Sequence, residues 1–294
     1  MKLGVIGLGK MGQAIASRVI RAGHEVIGFD PYISKDQALG VSVVSSLSEL
    51  SHYVQIFWLM VQAGKTIDET IETLLPHISE NSIIIDGGNS HFKDSIRRYN
   101  YLKEKKIFFL DCGTSGGLHG NENGFSLMLG GDQIAFEQAL PILTAIAAPH
   151  GVQLFGPAGV GHYIKMIHNG IEYALLQAYG EGFELLKNGN YKNLNLALIA
   201  DTWNHGSIIR SWLLSLSGEI LKSDSSLESI SGYIGENKTG QWAVQVAQEN
   251  NISLKIIEKA LEIRAWSRET GGDYSTKFVA MLRNKFGGHE VKKL

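Results

Sequence analysis

The chain has 294 residues, 44% of them hydrophobic and 19% charged, and a formal net charge of -2. That length is long for one compact unit and comfortable for two, and the apolar share suffices for a sizeable core. A balance so close to neutral excludes a broad basic footprint for nucleic acid, so an anionic substrate would have to be held by a local cluster of cations.

A single cysteine, Cys112, excludes an intrachain disulfide and fits a reducing compartment. The run MKLGVIGLGKMG reaches its glycines too early for the apolar stretch of a signal peptide. Apolar runs also fall short of the roughly 20 residues needed to cross a bilayer. The expectation is a soluble cytoplasmic protein without membrane or nucleic-acid partners.

The first half alternates strand-like and helix-like segments. KLGVIGL (Lys2–Leu8) is short, apolar and β-branched, and Met11–Ala22 has helical spacing. HEVIGFD (His24–Asp30), VQIFWLM (Val54–Met60), SIIID (Ser82–Asp86) and KIFFLD (Lys106–Asp111) read as further strands, with helices at Lys65–Leu75 and Phe92–Lys103. FSLMLGG (Phe125–Gly131) and GVQLF (Gly151–Phe155) close the series. Such alternation predicts a doubly wound, mostly parallel α/β sheet, a Rossmann-like domain over 1–157.

Gly7, Gly9 and Gly12 form G-x-G-x-x-G between the first strand and helix. With the intervening Leu8, Lys10 and Met11 they suit a tight turn that carries a pyrophosphate at a helix N-terminus. Asp30 ends the second strand and can accept hydrogen bonds from ribose hydroxyls while repelling a 2′-phosphate, which points to NAD rather than NADP. DGGNS (Asp86–Ser90) and DCGTSGG (Asp111–Gly117) look like polar, glycine-rich strand ends on the same sheet edge. Plain turn chemistry is the alternative for each of them alone.

From Gly159 the strand signal stops, and helical spacing runs to the C-terminus. An all-α C-terminal domain over 158–294 follows. In GVGHYIKMIHNGIEYALLQAYGEG (Gly159–Gly182), Lys165, His168, Asn169 and Glu172 share one helix face, and Ile164, Ile167, Ile171, Ala174 and Leu175 cluster on another. Lys165 and Glu172 stand about 10 Å apart along the axis, too far for an i,i+4 ion pair. That spacing suits two groups acting on different carbons of one substrate. A lysine shielded from water can serve as a base. No cluster has metal-ligand spacing.

GLGKMG followed by a strand-ending Asp resembles the β-hydroxyacid dehydrogenase superfamily. DGGNS, TSGG, SLMLGG and above all GVGHYIKMIHNGIEY resemble its 6-phosphogluconate dehydrogenase (decarboxylating) family, over nearly the whole chain. The resemblance implies Lys165 as general base and later acid, and Glu172 as proton donor. It implies that Asn89, Ser115, Gly116, Gly117, His168, Asn169 and Tyr173 contact substrate. It implies that Met60, Val61 and Gln62 form a cofactor-contacting turn, in which the family carries a lysine in place of Gln62, and that Asn89 also faces the cofactor. Lys238 and Arg264 match positions that hold the substrate phosphate. Arg283 and His289 match a tail that enters the neighbouring subunit's site, so a homodimer or homotetramer is expected. Common members are longer, with a duplicated helical domain, and this chain resembles the short NAD-type branch.

The expected reaction is oxidative decarboxylation of 6-phospho-D-gluconate to D-ribulose 5-phosphate and CO₂ with NAD. The alternative is another β-hydroxyacid dehydrogenase acting on a small 3-hydroxy acid without decarboxylation. It would keep Lys165 but would not need Glu172 or the cations Lys238, Arg264, Arg283 and His289. A catalytically silent dinucleotide sensor is a third possibility, which leaves the polar stripe without a use.

Overall fold

The computed structural model describes residues 1–33, 40–236 and 238–294. The chain divides into two compact units, Met1–Lys165 and Met166–Leu294.

The strands of the first unit are β1 (Lys2–Ile6), β2 (Glu25–Phe29), β3 (Ser42–Val43), β4 (Ile56–Leu59), β5 (Ile83–Asp86), β6 (Phe108–Ser115), β7 (Phe125–Gly131) and β8 (Ala147–Leu154). Among the described residues they form one sheet in the order β3-β2-β1-β4-β5-β6-β7-β8, parallel except for the antiparallel β6–β7 pair. Its helices are α1 (Lys10–Arg21), α2 (Leu47–Ser51), α3 (Lys65–Leu74), α4 (Phe92–Glu104), α5 (Gly120–Asn123) and α6 (Gln133–Ile146).

The central strands β1, β4 and β5 are near-continuous apolar runs, broken only by Lys2 at the start of β1 and Asp86 at the end of β5, because both faces of the sheet are covered. Leu3, Val5, Trp58, Ile83 and Ile85 enter one core with α1 and α6. Their neighbours Ile6, Phe57, Leu59 and Ile84 enter the other with α2 and α3. This is the expected α/β architecture. One boundary differs from expectation: β6 does not stop at Asp111 but runs on to Ser115. Cys112, Gly113, Thr114 and Ser115 pair with Leu129, Met128, Leu127 and Ser126 of β7, so most of DCGTSGG is ladder rather than turn. Four further elements, β3, α2, α5 and α6, were not among the expected ones.

Helix α7 (Val160–Asn188) starts in the first unit and runs on into the second. The second unit continues with α8 (Leu196–Asn204), α9 (Trp212–Ser223), α10 (Lys238–Glu249), α11 (Lys255–Thr270) and α12 (Tyr274–Gly287). Its core gathers Leu176, Phe183, Leu214, Ile220, Phe278 and Leu282. A capping box of Asp273 and Thr276 starts α12, and Gly288 in the left-handed region (φ 64°) ends it. The segment beyond is not frayed: Ser231 N donates to Lys292 O at 2.9 Å, and Leu294 N to Ser229 O at 3.2 Å. Among the described residues no helix is long and apolar enough to cross a membrane.

Candidate active site

The glycine turn after β1 is built for close approach. A Cβ on Gly7 would strike the Met60 carbonyl, and one on Gly12 would strike the Gly7 carbonyl, so both are glycine for internal packing. Gly9 is different. Its φ of -64° suits any residue, and a Cβ there would meet nothing within 4 Å. A glycine with no internal reason, exposed at the N-cap of α1, is what a pyrophosphate lying against the backbone requires. Asp30 sits beside this turn. Its Oδ2 accepts from Leu8 N at 2.7 Å and its Oδ1 from Tyr32 N at 2.8 Å. The carboxylate thus fixes the glycine turn, and each oxygen keeps lone-pair capacity for a hydroxyl donor. Met60, Val61 and Gln62 follow β4, tied by Met60 N to Ile6 O at 2.8 Å. Asn89 follows β5, and both Asn89 and Gln62 are exposed. These residues share the carboxyl edge of the parallel strands, where open α/β sheets bind ligands.

The first turns of α7 lie directly on β6 and β7. Asp111, fully buried, accepts from Gly159 N at 2.5 Å and from His162 N at 2.8 Å, satisfying donors that a helix start leaves open. A Cβ on Gly161 would strike the Met128 carbonyl, and one on Gly113 would strike the Lys165 Cβ. The two glycines therefore allow helix and strands to touch, and they set Lys165, 8% exposed, against the strand backbone. Ser115 ends β6, and Gly116 (φ 142°) and Gly117 (φ 56°) make the turn that follows.

Along α7 the exposure pattern is the reverse of an ordinary amphipathic helix. His162, Lys165, Asn169 and Tyr173 are buried, while Ile167, Ile171 and Leu175 are exposed at 38%, 52% and 47%. His168 and Glu172 are half-buried, and His168 Nδ1 lies 3.1 Å from Asn169 Oδ1.

In the second unit a cationic group gathers around Tyr173. Arg264 is 4% exposed, stacked over the Tyr173 ring with its guanidinium carbon 3.4 Å from the centroid. Its Nη2 is buried with no hydrogen-bond partner among the described residues. Burial pulls Arg264 down to about 10, with repulsion from Arg283 and Arg268 acting the same way, and Tyr173 and Glu172 offsetting part of it. Burial likewise lowers Arg283, which Tyr173 and Glu172 partly offset. Partial burial, then Arg283 and Arg264, take His289 down to about 4. Two arginines and a histidine so placed, one arginine with a vacant buried donor, favour an anion. Lys238 stands exposed at the first residue of α10. Arg283 and His289 reach this group from the same chain's own α12 and tail.

Residues 2–161 match the family described as the NAD binding domain of 6-phosphogluconate dehydrogenase, and residues 161–292 match the 6-phosphogluconate dehydrogenase C-terminal domain. The chain belongs to the 6-phosphogluconate dehydrogenase family. An NAD(+)-dependent, decarboxylating 6-phosphogluconate dehydrogenase of Haloferax volcanii is 43% identical over 301 residues, covering 100% of this chain and 99% of that one. A Plasmodium falciparum 6-phosphogluconate dehydrogenase, solved with NADP+ and with its substrate, is 30% identical with a TM-score of 0.82, covering 92% of this chain and 62% of that one. A Mycobacterium tuberculosis 3-hydroxyisobutyrate dehydrogenase, 20% identical with a TM-score of 0.74 over 97% of this chain and 98% of that one, shares the fold. As a member of the 6-phosphogluconate dehydrogenase family the chain is an oxidoreductase with an NAD-binding domain.

Several residues that organise the candidate site escaped the sequence reading of roles. Asp111 holds α7, Arg98 ties two turns together, and Arg268 adds charge near Arg264. For Arg98 a signal existed: Ser95, Arg98 and Leu102 share the buried face of α4, and an arginine on an apolar stripe is rarely there for solvation.

Proposed function

We propose that the protein catalyses the oxidative decarboxylation of 6-phospho-D-gluconate to D-ribulose 5-phosphate and CO₂, with NAD as acceptor. The observation that carries this reading is the buried pair Arg264 and Arg283 with the vacant Arg264 Nη2, on the unit where α7 bears Glu172. A small 3-hydroxy acid carries one carboxylate and no phosphate, so it would not need that pair.

Gly7 to Gly12 would hold the pyrophosphate of NAD and Asp30 the adenosine ribose, with Met60, Val61, Gln62 and Asn89 near the nicotinamide end. Bound NAD supplies a hydride acceptor. Lys165 takes the proton of the C3 hydroxyl as that carbon is oxidised. The resulting acid has its carboxylate β to a carbonyl, so the C–C bond breaks, CO₂ leaves and the electron pair passes to an enolate. The Lys165 ammonium steadies that oxyanion. Glu172 then delivers a proton to the carbon that lost CO₂. Ser115, Gly116, Gly117, His168, Asn169 and Tyr173 orient the sugar acid, and Lys238, Arg264, Arg283 and His289 take its phosphate.

The test is formation of NADH and CO₂ from 6-phosphogluconate, with NADP as the rival acceptor. Placing a 2′-phosphate against the Asp30 carboxylate costs several kcal/mol, so kcat/KM is expected to favour NAD by about 100-fold or more. NADH formation without CO₂ would support the non-decarboxylating alternative. A preference for NADP would overturn the role given to Asp30.

The same reading includes a cytoplasmic homo-oligomer, dimer or tetramer. The exposed Ile167, Ile171 and Leu175 on α7 form an apolar stripe that a second copy would cover. Arg283 and His289 would then serve the neighbouring subunit's site, exchanging the tail contacts seen within one chain. Co-refolding Lys165→Met with Arg283→Met checks this. If tails cross, mixing two inactive parents restores about a quarter of wild-type activity, because half the dimers are mixed and each has one intact site. If each tail serves its own chain, no activity returns.

A further inference from the structure

Arg98 lies on α4, outside every set of residues that would touch substrate or cofactor. It is 2% exposed, yet all of its guanidinium nitrogens are engaged by acceptors from two loops that border the cofactor edge. Nε donates to Asp68 Oδ1 at 2.7 Å and Nη2 to the Gly64 carbonyl at 3.0 Å. Both acceptors belong to the turn and first helical residues that follow Met60, Val61 and Gln62. Nη1 donates to Ser90 Oγ at 3.2 Å and to Asp86 Oδ2 at 3.4 Å. Those two bracket Asn89. Asp86, fully buried, in turn accepts from Ser90 Oγ at 2.7 Å and from Gly88 N at 3.1 Å. One planar cation thus joins the loop after β4 to the loop after β5.

We propose that Arg98 is a positioning residue for the cofactor site: its guanidinium fixes the separation between the Met60–Gly64 turn and the Asp86–Ser90 turn, so that Gln62 and Asn89 meet the nicotinamide end of NAD together. This rests on the NAD-binding role given above to those two turns.

Neither turn is pinned to the other by an ordinary β-ladder, because both begin where β4 and β5 stop pairing, at Leu59 and Asp86. Gly64 has φ 93° and heads α3 without a side-chain cap, and its carbonyl accepts from Ile67 N at 3.1 Å as well as from Arg98 Nη2. Only a rigid fork with several donors can serve both loops at once, and lysine, a point charge on a flexible stem, cannot. The surrounding charges are accounted for: Asp86 and Asp68 face Arg98, and Arg97 faces Asp68 from the solvent side at 2.8 Å. Although burial pushes Asp68 up, hydrogen bonds from Arg98 and Arg97 outweigh it and hold the carboxyl below its ordinary value.

The experiment is a titration of purified full-length wild type, Arg98→Lys and Ser90→Ala with NADH by fluorescence, together with thermal melting and KM values for NAD and 6-phosphogluconate. Arg98→Lys is expected to weaken NADH binding about 10-fold, since ångström-scale misplacement of binding groups has effects of that order or larger. The KM for NAD should rise more than that for 6-phosphogluconate. Ser90→Ala, which removes a single acceptor, should weaken NADH binding about 3-fold with little change in melting temperature. A folded Arg98→Lys with wild-type NADH affinity overturns the proposal. If that variant does not fold, wild-type affinity in Ser90→Ala overturns it instead. Failure of the wild type itself to bind NADH refutes the NAD reading rather than this inference alone, so the two failures are told apart.

Discussion

Replacing Lys165 with methionine is expected to lower kcat by about 10²- to 10⁴-fold, the usual worth of a positioned acid–base group, while NADH affinity stays within about 2-fold of wild type. Methionine suits the test because of how the stem is held. The Lys165 Cβ rests against Gly113, and the residue is 8% exposed, so an apolar chain of similar length preserves the packing. What is lost is the amine. If Lys165→Met retains more than about a tenth of wild-type kcat, an effect far below that of acid–base catalysis, the base lies elsewhere. The control is Lys2→Met at the exposed start of β1, whose ion pair with Glu25 is a surface contact and should leave kcat unchanged.

The α/β order of the first unit was legible because strands buried on both faces read as near-continuous apolar runs, as Ile56–Leu59 is throughout and Ile83–Asp86 is up to its final carboxylate. The four elements missed have plain causes: α2 and α5 span only five and four residues. β3 is only Ser42–Val43, too short to show any period, and α6 contains Pro141, which reads as a break although the helix continues through it. Cys112–Ser115 looked like turn residues because Gly, Thr and Ser form turns. Its strand state comes from pairing with β7, more than ten residues away. On α7 the spacing separated a polar from an apolar face but could not say which one faces inward. The inward face proved to be Lys165, Asn169 and Tyr173, and the exposed one Ile167, Ile171 and Leu175. Periodicity carries no sign, and this helix has the unusual one. The resemblance pointed to Arg264, but its burial was illegible for a related reason: an arginine on a helix is a surface cation by default, and it is the fold that leaves it 4% exposed over the Tyr173 ring.

That burial gives Arg264 the second large effect. Arg264→Met is expected to reduce kcat/KM for 6-phosphogluconate by about 10²- to 10³-fold, chiefly through KM, because a buried charge-assisted contact is worth about 2–5 kcal/mol. Stability should move the other way or not at all. In the free protein the Arg264 guanidinium is desolvated, repelled by Arg283 and Arg268, and left with Nη2 unpaired. Exchanging such a group for an apolar side chain of similar length is often neutral or stabilising. The melting temperature of Arg264→Met should therefore equal or exceed that of wild type while its substrate affinity collapses, and inorganic phosphate should lose its power to inhibit. The opposed signs make the result decisive. A residue that merely held the helical unit together would lose stability first, and would leave the KM of the surviving folded enzyme where it was. An unchanged KM with full phosphate inhibition would remove the arginine pair from the substrate site, and with it the ground for choosing a phosphorylated sugar acid over a small 3-hydroxy acid.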